Sequence, residues 1–131
     1  MARAEENVGW FTVHRPATYR LIGTGWLDTT KGTRMVRYVL LLNWTDQGIA
    51  TVKDTVDRYR HAKQLLESKG GSFEAIAWTI GPYDLVSIVT VPDEETGAAF
   101  NLQLAAGGAL RSVTMRAFTE DEMSSIVGKI D

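Results

Sequence analysis

The corner that joins two apolar segments carries side chains that could do chemistry. Gly81-Pro82-Tyr83-Asp84 places a phenol beside a carboxylate, between "SFEAIAWTI" and "DLVSIVTV". A carboxylate can act as a general base or orient a polar ligand, and a phenol can donate a hydrogen bond. The alternative interpretation is structural, because Gly and Pro form turns and an Asp side chain accepts hydrogen bonds from nearby backbone amides. The residues alone leave both interpretations open.

Further side chains are candidates for a ligand site. Trp78 could stack on a flat ligand, or it could anchor the core or an interface. Asn43 and Trp44 end another apolar run, where they could face a pocket or pack at the entry to a helix. His61 is the alternative to Asp84 as a catalytic base, although a surface position on a helix is the simpler interpretation. We therefore predict ligand-binding roles for Asn43, Trp78, Tyr83 and Asp84, with Asp84 and His61 as the catalytic candidates.

Several other classes of site are not predicted. The chain has no cysteine, which removes disulfides, thiolate metal sites and cysteine nucleophiles. His14 and His61 lack the spacing of a metal motif, so we predict no metal site. No glycine-rich phosphate loop and no Ser-His-Asp grouping occurs, and no cofactor is predicted.

Length and charge favour one soluble domain. The 131 residues and a hydrophobic content of 44% are typical of a single packed domain. Residues 36–131 hold thirteen acidic and nine basic residues, which argues against a nucleic-acid partner. No apolar run is long enough to span a membrane, and the N-terminus lacks the layout of a secretory signal. We expect a cytoplasmic protein without a membrane partner.

Regular hydrophobic patterns begin after Met35. Residues 1–35 are predicted to be an N-terminal extension, either poorly ordered or a short hairpin through "VGWFTV" and "YRLIGTGW". Translation begun upstream of an internal start at Met35 is one explanation for such a leader. The predicted domain covers residues 36–131, with strands at 36–44, 72–80, 84–91 and 110–118, helices at 45–69 and about 92–107, and a terminal helix capped by Thr119 with Glu122 in a capping box.

Finer features of these elements are also predicted. Thr45 should cap the long helix, and Asp54 should pair with Arg58 one turn later. The alternation in the second strand predicts Ile76, Trp78 and Ile80 on one face and Phe73, Ala75 and Ala77 on the other.

The order of elements predicts an α+β fold of the ferredoxin-like βαββαβ type. Right-handed crossovers place both long helices on one face of a four-stranded antiparallel sheet, with the first and third strands in the centre. The other face would expose Val, Leu, Ile and Trp side chains, and monomers rarely expose a large contiguous apolar patch. We predict a homodimer packed through this face, with residues 1–35 as an alternative cover.

Four blocks of the chain carry a resemblance to a known family. At "RYVLLLNWTDQGI", "VKDTVDRY", "GPYDLVSIV" and "RAFTEDEM" the chain resembles the GYD domain family of small bacterial and archaeal proteins. The resemblance runs from about Met35 to Met123, and Pro82 interrupts the Gly-Tyr-Asp signature. It implies a ferredoxin-like fold of the dimeric α/β-barrel type, in a family whose biochemical role is not established.

Three functional hypotheses follow. The leading one is a homo-oligomeric module that binds a small apolar or aromatic molecule between sheet and helices. The second is a cofactor-free oxygenase or isomerase of the dimeric α/β-barrel kind, with Asp84 or His61 as base. The third is a structural assembly module without a ligand. The third hypothesis requires a filled interior, whereas the first two require a cavity.

Overall fold

The described part of the chain contains nine strands and four α-helices. A computed structural model describes the backbone of residues 3–8, 11–16, 19–23, 25–28 and 33–131, and the side chains of residues 35–131. The elements are β1 (Arg3–Val8), β2 (Phe11–Pro16), β3 (Tyr19–Ile22), β4 (Gly25–Asp28), β5 (Thr33–Arg34), β6 (Val36–Trp44), α1 (Asp46–Ala50), α2 (Thr55–Ser68), β7 (Ser72–Trp78), β8 (Leu85–Val91), α3 (Glu94–Ala106), β9 (Leu110–Ala117) and α4 (Glu120–Val127).

The predicted ferredoxin-like sheet is confirmed. Strands β7, β8, β6 and β9 are neighbours in that order, all pairs are antiparallel, and β6 and β8 are central as expected. The β1–β2 hairpin extends this sheet to six strands, because Thr12 of β2 lies opposite Ile76 of β7. Strands β3, β4 and β5 form a second sheet.

The pairing of the first strands differs from the hairpin that the sequence suggested. Strand β2 pairs with β1 and strand β3 pairs with β4, rather than β2 with β3. The side chains of residues 1–34 lie outside the described residues, so their interpretation as a poorly ordered extension, like the boundary after residue 35, stays a prediction.

The predicted continuous helix over residues 45–69 is wrong. Helix α1 ends at Ala50, a 3₁₀ turn covers Val52–Asp54, and α2 begins at Thr55. At this break the Thr51 carbonyl accepts the backbone N–H of Asp54, and the Arg58 guanidinium donates to Thr51 and to the Gly48 carbonyl. The predicted Asp54–Arg58 pair is therefore replaced by bonds from Arg58 to neutral oxygens.

Two helix starts agree with the prediction. The Thr45 hydroxyl accepts a hydrogen bond from the Gly48 N–H at 3.1 Å and caps α1. At α4, Thr119 and Glu122 form the expected capping box. Among the described helices, none combines the length and the hydropathy needed to cross a bilayer.

A β-bulge between Phe73 and Ala75 overturns the predicted alternation of β7. Phe73 lies opposite Val89 and Ile76 lies opposite Ser87, and these two β8 residues share one face of the sheet. The extra residue in the bulge therefore places Phe73 and Ile76 on the same face. The strand also ends at Trp78 instead of Ile80, which is exposed. Phe73 thus joins the core beneath the helices rather than the opposite face.

The hydrophobic core lies between the sheet and helices α2 and α3. Phe73 is central to it, because its ring centroid lies 5.3 Å from that of Tyr59 and 6.0 Å from that of Phe100, both in edge-to-face contacts. The buried members of the core are Leu40, Leu42, Leu66, Phe73, Ile76, Leu85, Val89, Val91 and Phe100.

The opposite face of the sheet, called the open face below, carries two apolar rows across four strands. Val113 and Met115, at the β9 end of these rows, are 49% and 43% exposed, whereas Ala75 and Ala77, at the β7 end, are buried. Trp44 and Trp78 lie on the helix side, so the expectation of a Trp on the open face is wrong for the two Trp residues whose side chains the structure describes. The rows are Val113, Leu41, Val86 and Ala77, and Met115, Val39, Ile88 and Ala75.

Candidate functional site

A cavity of about 410 Å³ lies between the helix-facing side of the sheet and helices α2 and α3. This volume is within the range of small-molecule sites, which are mostly apolar with a few polar groups. The sheet supplies a floor of mostly apolar side chains, and the helices supply the walls. The floor residues are Leu40, Leu42, Phe73, Ile76, Leu85 and Ser87.

The mouth of the cavity lies between the two helices. His61 of α2 and Gln103 of α3 both line the cavity and both are exposed to solvent. Arg58, one turn before Ala62, is half-buried in the same wall. No Asp or Glu side chain is among the lining residues that the structure describes. Elsewhere in the described residues, no three His, Asp or Glu side chains are arranged to hold a metal ion.

Two buried polar atoms belong to residues that line this cavity. The indole Nε1 of Trp44 and the hydroxyl of Ser87 have no hydrogen-bond partner among the described residues. Ser87 is only 1% exposed. A buried polar group without a partner costs about 1–3 kcal/mol, so each needs an explanation. Ser87 lies opposite Leu40, four residues before Trp44 on β6, which separates the two residues by about 13 Å along the sheet.

The Asp84 carboxylate closes the corner against strand β6. Its Oδ2 accepts the backbone N–H of Trp44 at 2.9 Å. The Asn43 amide is satisfied when its nitrogen faces the corner, where it donates to Asp84 Oδ2 at 3.2 Å and to the Pro82 carbonyl at 3.0 Å. The Asp84 N–H donates to the Leu42 carbonyl at 2.9 Å. These bonds support the structural interpretation of Asp84.

The rest of the corner is closed by Thr79. Its N–H donates to the Asp84 carbonyl at 2.8 Å, and its hydroxyl donates to the Tyr83 carbonyl at 2.6 Å. Tyr83 is half-buried at this corner. The corner is thus a hydrogen-bonded unit that holds the β7–β8 connection onto the end of β6.

The structure brings some of the predicted site residues together and separates others. Asn43, Tyr83 and Asp84 meet at the corner, and none of them lines the cavity. Trp78 lies behind the cavity wall, where its Nε1 donates to Thr55 Oγ1 at 3.0 Å. His61 is the predicted residue that lines the cavity. The ligand-binding and catalytic roles of these five residues stay predictions.

Trp44, which the sequence placed either at a pocket or at a helix entry, lines the cavity, whereas the sequence analysis did not single out Ser87 or Arg58 as cavity residues. For Ser87 a signal was present, because a lone hydroxyl interrupts an otherwise apolar strand face with Leu85, Val89 and Val91. For Arg58 no local signal existed, since its position at the cavity depends on the break before α2.

Replacing Asp84 with Asn tests the structural interpretation of the corner. We expect Asp84→Asn to lower the free energy of unfolding by about 1.5 kcal/mol, because hydrogen bonds to a charged acceptor are lost or weakened. Urea unfolding measures the change. Asp57→Asn is the matched control, since Asp57 is exposed and pairs only loosely with Arg60 at 3.4 Å. Unchanged stability with loss of a bound ligand would instead support a role for Asp84 in binding.

Comparisons with known proteins place this architecture in a family. The model of the GYD domain family matches residues 38–127, which include the corner and the cavity. A Thermus thermophilus protein described as "Glutamine synthetase and cystathionine beta-lyase binding protein" is 31% identical over 84 residues, covering 63% of this chain and 88% of the relative. No solved structure matches. With the family model covering more than half of its length, the chain belongs to the GYD domain family.

Proposed function

We propose that this protein is a homodimeric module that binds a small apolar or aromatic molecule between its sheet and its helices. The observation that carries the proposal is the cavity of about 410 Å³ with the partnerless Trp44 Nε1 and Ser87 hydroxyl among its lining residues. A ligand with an acceptor group beside one of these atoms would satisfy it and fill the apolar space. A pure assembly module, which needs a filled interior, fits this arrangement less well.

Binding without turnover is better supported than catalysis. A cofactor-free oxygenase or isomerase would need a base that is shielded from water and aimed at the substrate. Asp84 lies outside the cavity lining and is committed to the corner. His61 lines the cavity but is exposed at its mouth. Neither candidate has the setting that such an enzyme requires.

The open face supports the homodimer. Its two apolar rows end at Val113 and Met115 of β9, which are exposed, and the exposed Arg111 lies on the same strand. Exposed apolar side chains with a polar residue at their edge are typical of a protein interface. A second copy related by a two-fold axis would cover the rows with the same surface.

Native mass spectrometry of freshly purified protein tests the proposal. We expect twice the 14.5 kDa chain mass, with a small molecule retained in each subunit. Ala62→Phe is the matched variant, because Ala62 lines the cavity and a Phe ring would occupy it. This variant should lose the small molecule and stay dimeric. A wild-type chain that retains nothing, and whose melting temperature no apolar or aromatic probe raises, would contradict the binding function.

A second candidate is a module that binds another protein. The name of the Thermus thermophilus relative favours it, since that protein is described as binding glutamine synthetase and cystathionine beta-lyase. In this chain Phe118, Met123 and Val127 are exposed apolar side chains at and within α4 that a protein partner could cover. Immobilised protein that captures either purified enzyme with a measurable Kd would favour this candidate, and capture of neither would remove it.

A further inference from the structure

We propose that the ligand of the cavity is an apolar or aromatic monocarboxylate whose carboxylate binds the Arg58 guanidinium. The inference rests on the proposed binding function and specifies the chemistry of the ligand. It follows from the charge, the remaining hydrogen-bond donors and the position of Arg58, together with the apolar lining of the interior.

The charge of Arg58 is not paired with a carboxylate. Nη1 donates to the carbonyl and the hydroxyl of Thr51 at 3.0 and 2.7 Å, and Nη2 donates to the Gly48 carbonyl at 3.2 Å. All three acceptors are neutral. Among the described residues, no Asp or Glu oxygen comes within 4.0 Å of this guanidinium, whereas Arg37, Arg60 and Arg116 each have such a partner.

Arg58 retains donors for a ligand. A guanidinium has five N–H groups, and the bonds to Thr51 and Gly48 use three of them, which leaves Nε–H and one Nη2–H. A carboxylate is planar and accepts two such N–H groups at once, so it matches this remaining capacity. A phosphate dianion carries more charge and more acceptor oxygens than these two donors can satisfy.

The surroundings favour a single negative charge at one end of an apolar body. The described lining holds a cation at Arg58 and an imidazole at His61 but no acidic side chain, so the local potential favours an anion. Arg58 is bonded to α1, which begins two residues after Trp44. Trp44 lines the same cavity, and its partnerless Nε1–H is a further donor for an acceptor group of the ligand. The apolar floor extends from there toward Ser87.

Calorimetric titration with a matched pair of probes tests the inference. The probes are 2-naphthoate and its methyl ester, which share an aromatic body and differ in charge. On the full chain we expect 2-naphthoate to bind at least about tenfold tighter than the ester, the size of one charge-assisted bidentate contact. Arg58→Gln should abolish this preference, and Arg58→Lys should keep part of it. Arg60→Gln, an exposed cation on the same helix, should leave it unchanged.

The outcomes separate the two proposals. Equal affinity for acid and ester would overturn the carboxylate inference and leave the binding function standing. Binding of neither probe would count against both. A preference that survives in folded Arg58→Gln protein would show that another group holds the charge. Arg58 also bonds to Thr51 and Gly48, so circular dichroism is used to check that Arg58→Gln folds. If this variant does not fold, the ratio of the wild-type affinities for the acid and the ester decides the carboxylate inference.

Discussion

Replacing Gly48 with Ala is expected to destabilise this protein by about 3 kcal/mol, the upper end of the usual cost of overpacking. A Cβ atom at Gly48 would lie 2.0 Å from the Ala109 carbonyl oxygen, which is backbone and cannot rotate away. This oxygen accepts the Thr45 N–H at 3.1 Å, and the Thr45 hydroxyl donates to the Gly108 carbonyl at 2.5 Å. Helix α1 would have to leave the start of β9, breaking these bonds.

The sign of the Gly48→Ala effect is informative. In an unobstructed helix, Gly to Ala gains roughly 1 kcal/mol, so a loss identifies the contact with Ala109 as its cause. Urea unfolding measures the change, and Gly128→Ala is the control, since its Cβ would meet nothing closer than 3.4 Å. Movement of α1 should also weaken ligand binding, because Gly48 holds Arg58 through its carbonyl. Unchanged or raised stability would mean that α1 does not pack against Ala109 as described.

Val113→Glu is expected to raise the dissociation constant of the proposed homodimer by at least about 100-fold, or about 2.7 kcal/mol. Val113 lies in the open-face row with Leu41 and Val86. In a two-fold dimer through this face the substitution occurs twice, and each new carboxylate would be taken out of water into an apolar contact. The folded subunit itself should be little affected, because Val113 is 49% exposed in the single chain.

Sedimentation velocity over a range of concentrations measures this effect. Leu102→Glu is the matched control, because Leu102 is 69% exposed on α3, away from the open face. The control should sediment as the wild type does. A Val113→Glu protein that remains dimeric with the same dissociation constant would place the interface elsewhere, and a monomeric wild type would remove the homodimer from the proposed function.

Much of the fold could be predicted because it depends on neighbouring residues in the chain. Strand β6 is apolar at successive positions, which indicates burial on both faces, and the order of strands and helices restricts the topology to few solutions. The caps at Thr45 and Thr119 depend on side chains within three residues. Each of these features involves a short stretch of sequence.

The candidate site could be predicted only in part. The corner residues Asn43 and Asp84 do meet, but their hydrogen bonds serve the turn and they do not line the cavity. His61 lines the cavity, whereas Arg58 became visible as a site residue only once the break before α2 was known. A periodic pattern indicates which face of a helix is buried, but it does not indicate whether the space beneath that face is filled.

The sequence by itself determined the order of the strands and helices from β6 onward, the caps at Thr45 and Thr119, the identity of the central strands and the apolar character of both sheet faces. Tertiary structure alone decided the bulge that turns Phe73 toward the helices, the division of the first helix, and the cavity with its partnerless Trp44 and Ser87 atoms. The physical reason is the sequence separation between the residues that interact. Caps and periodicity arise from contacts within a few residues, whereas bulges, helix breaks and cavities depend on how distant segments fit against one another.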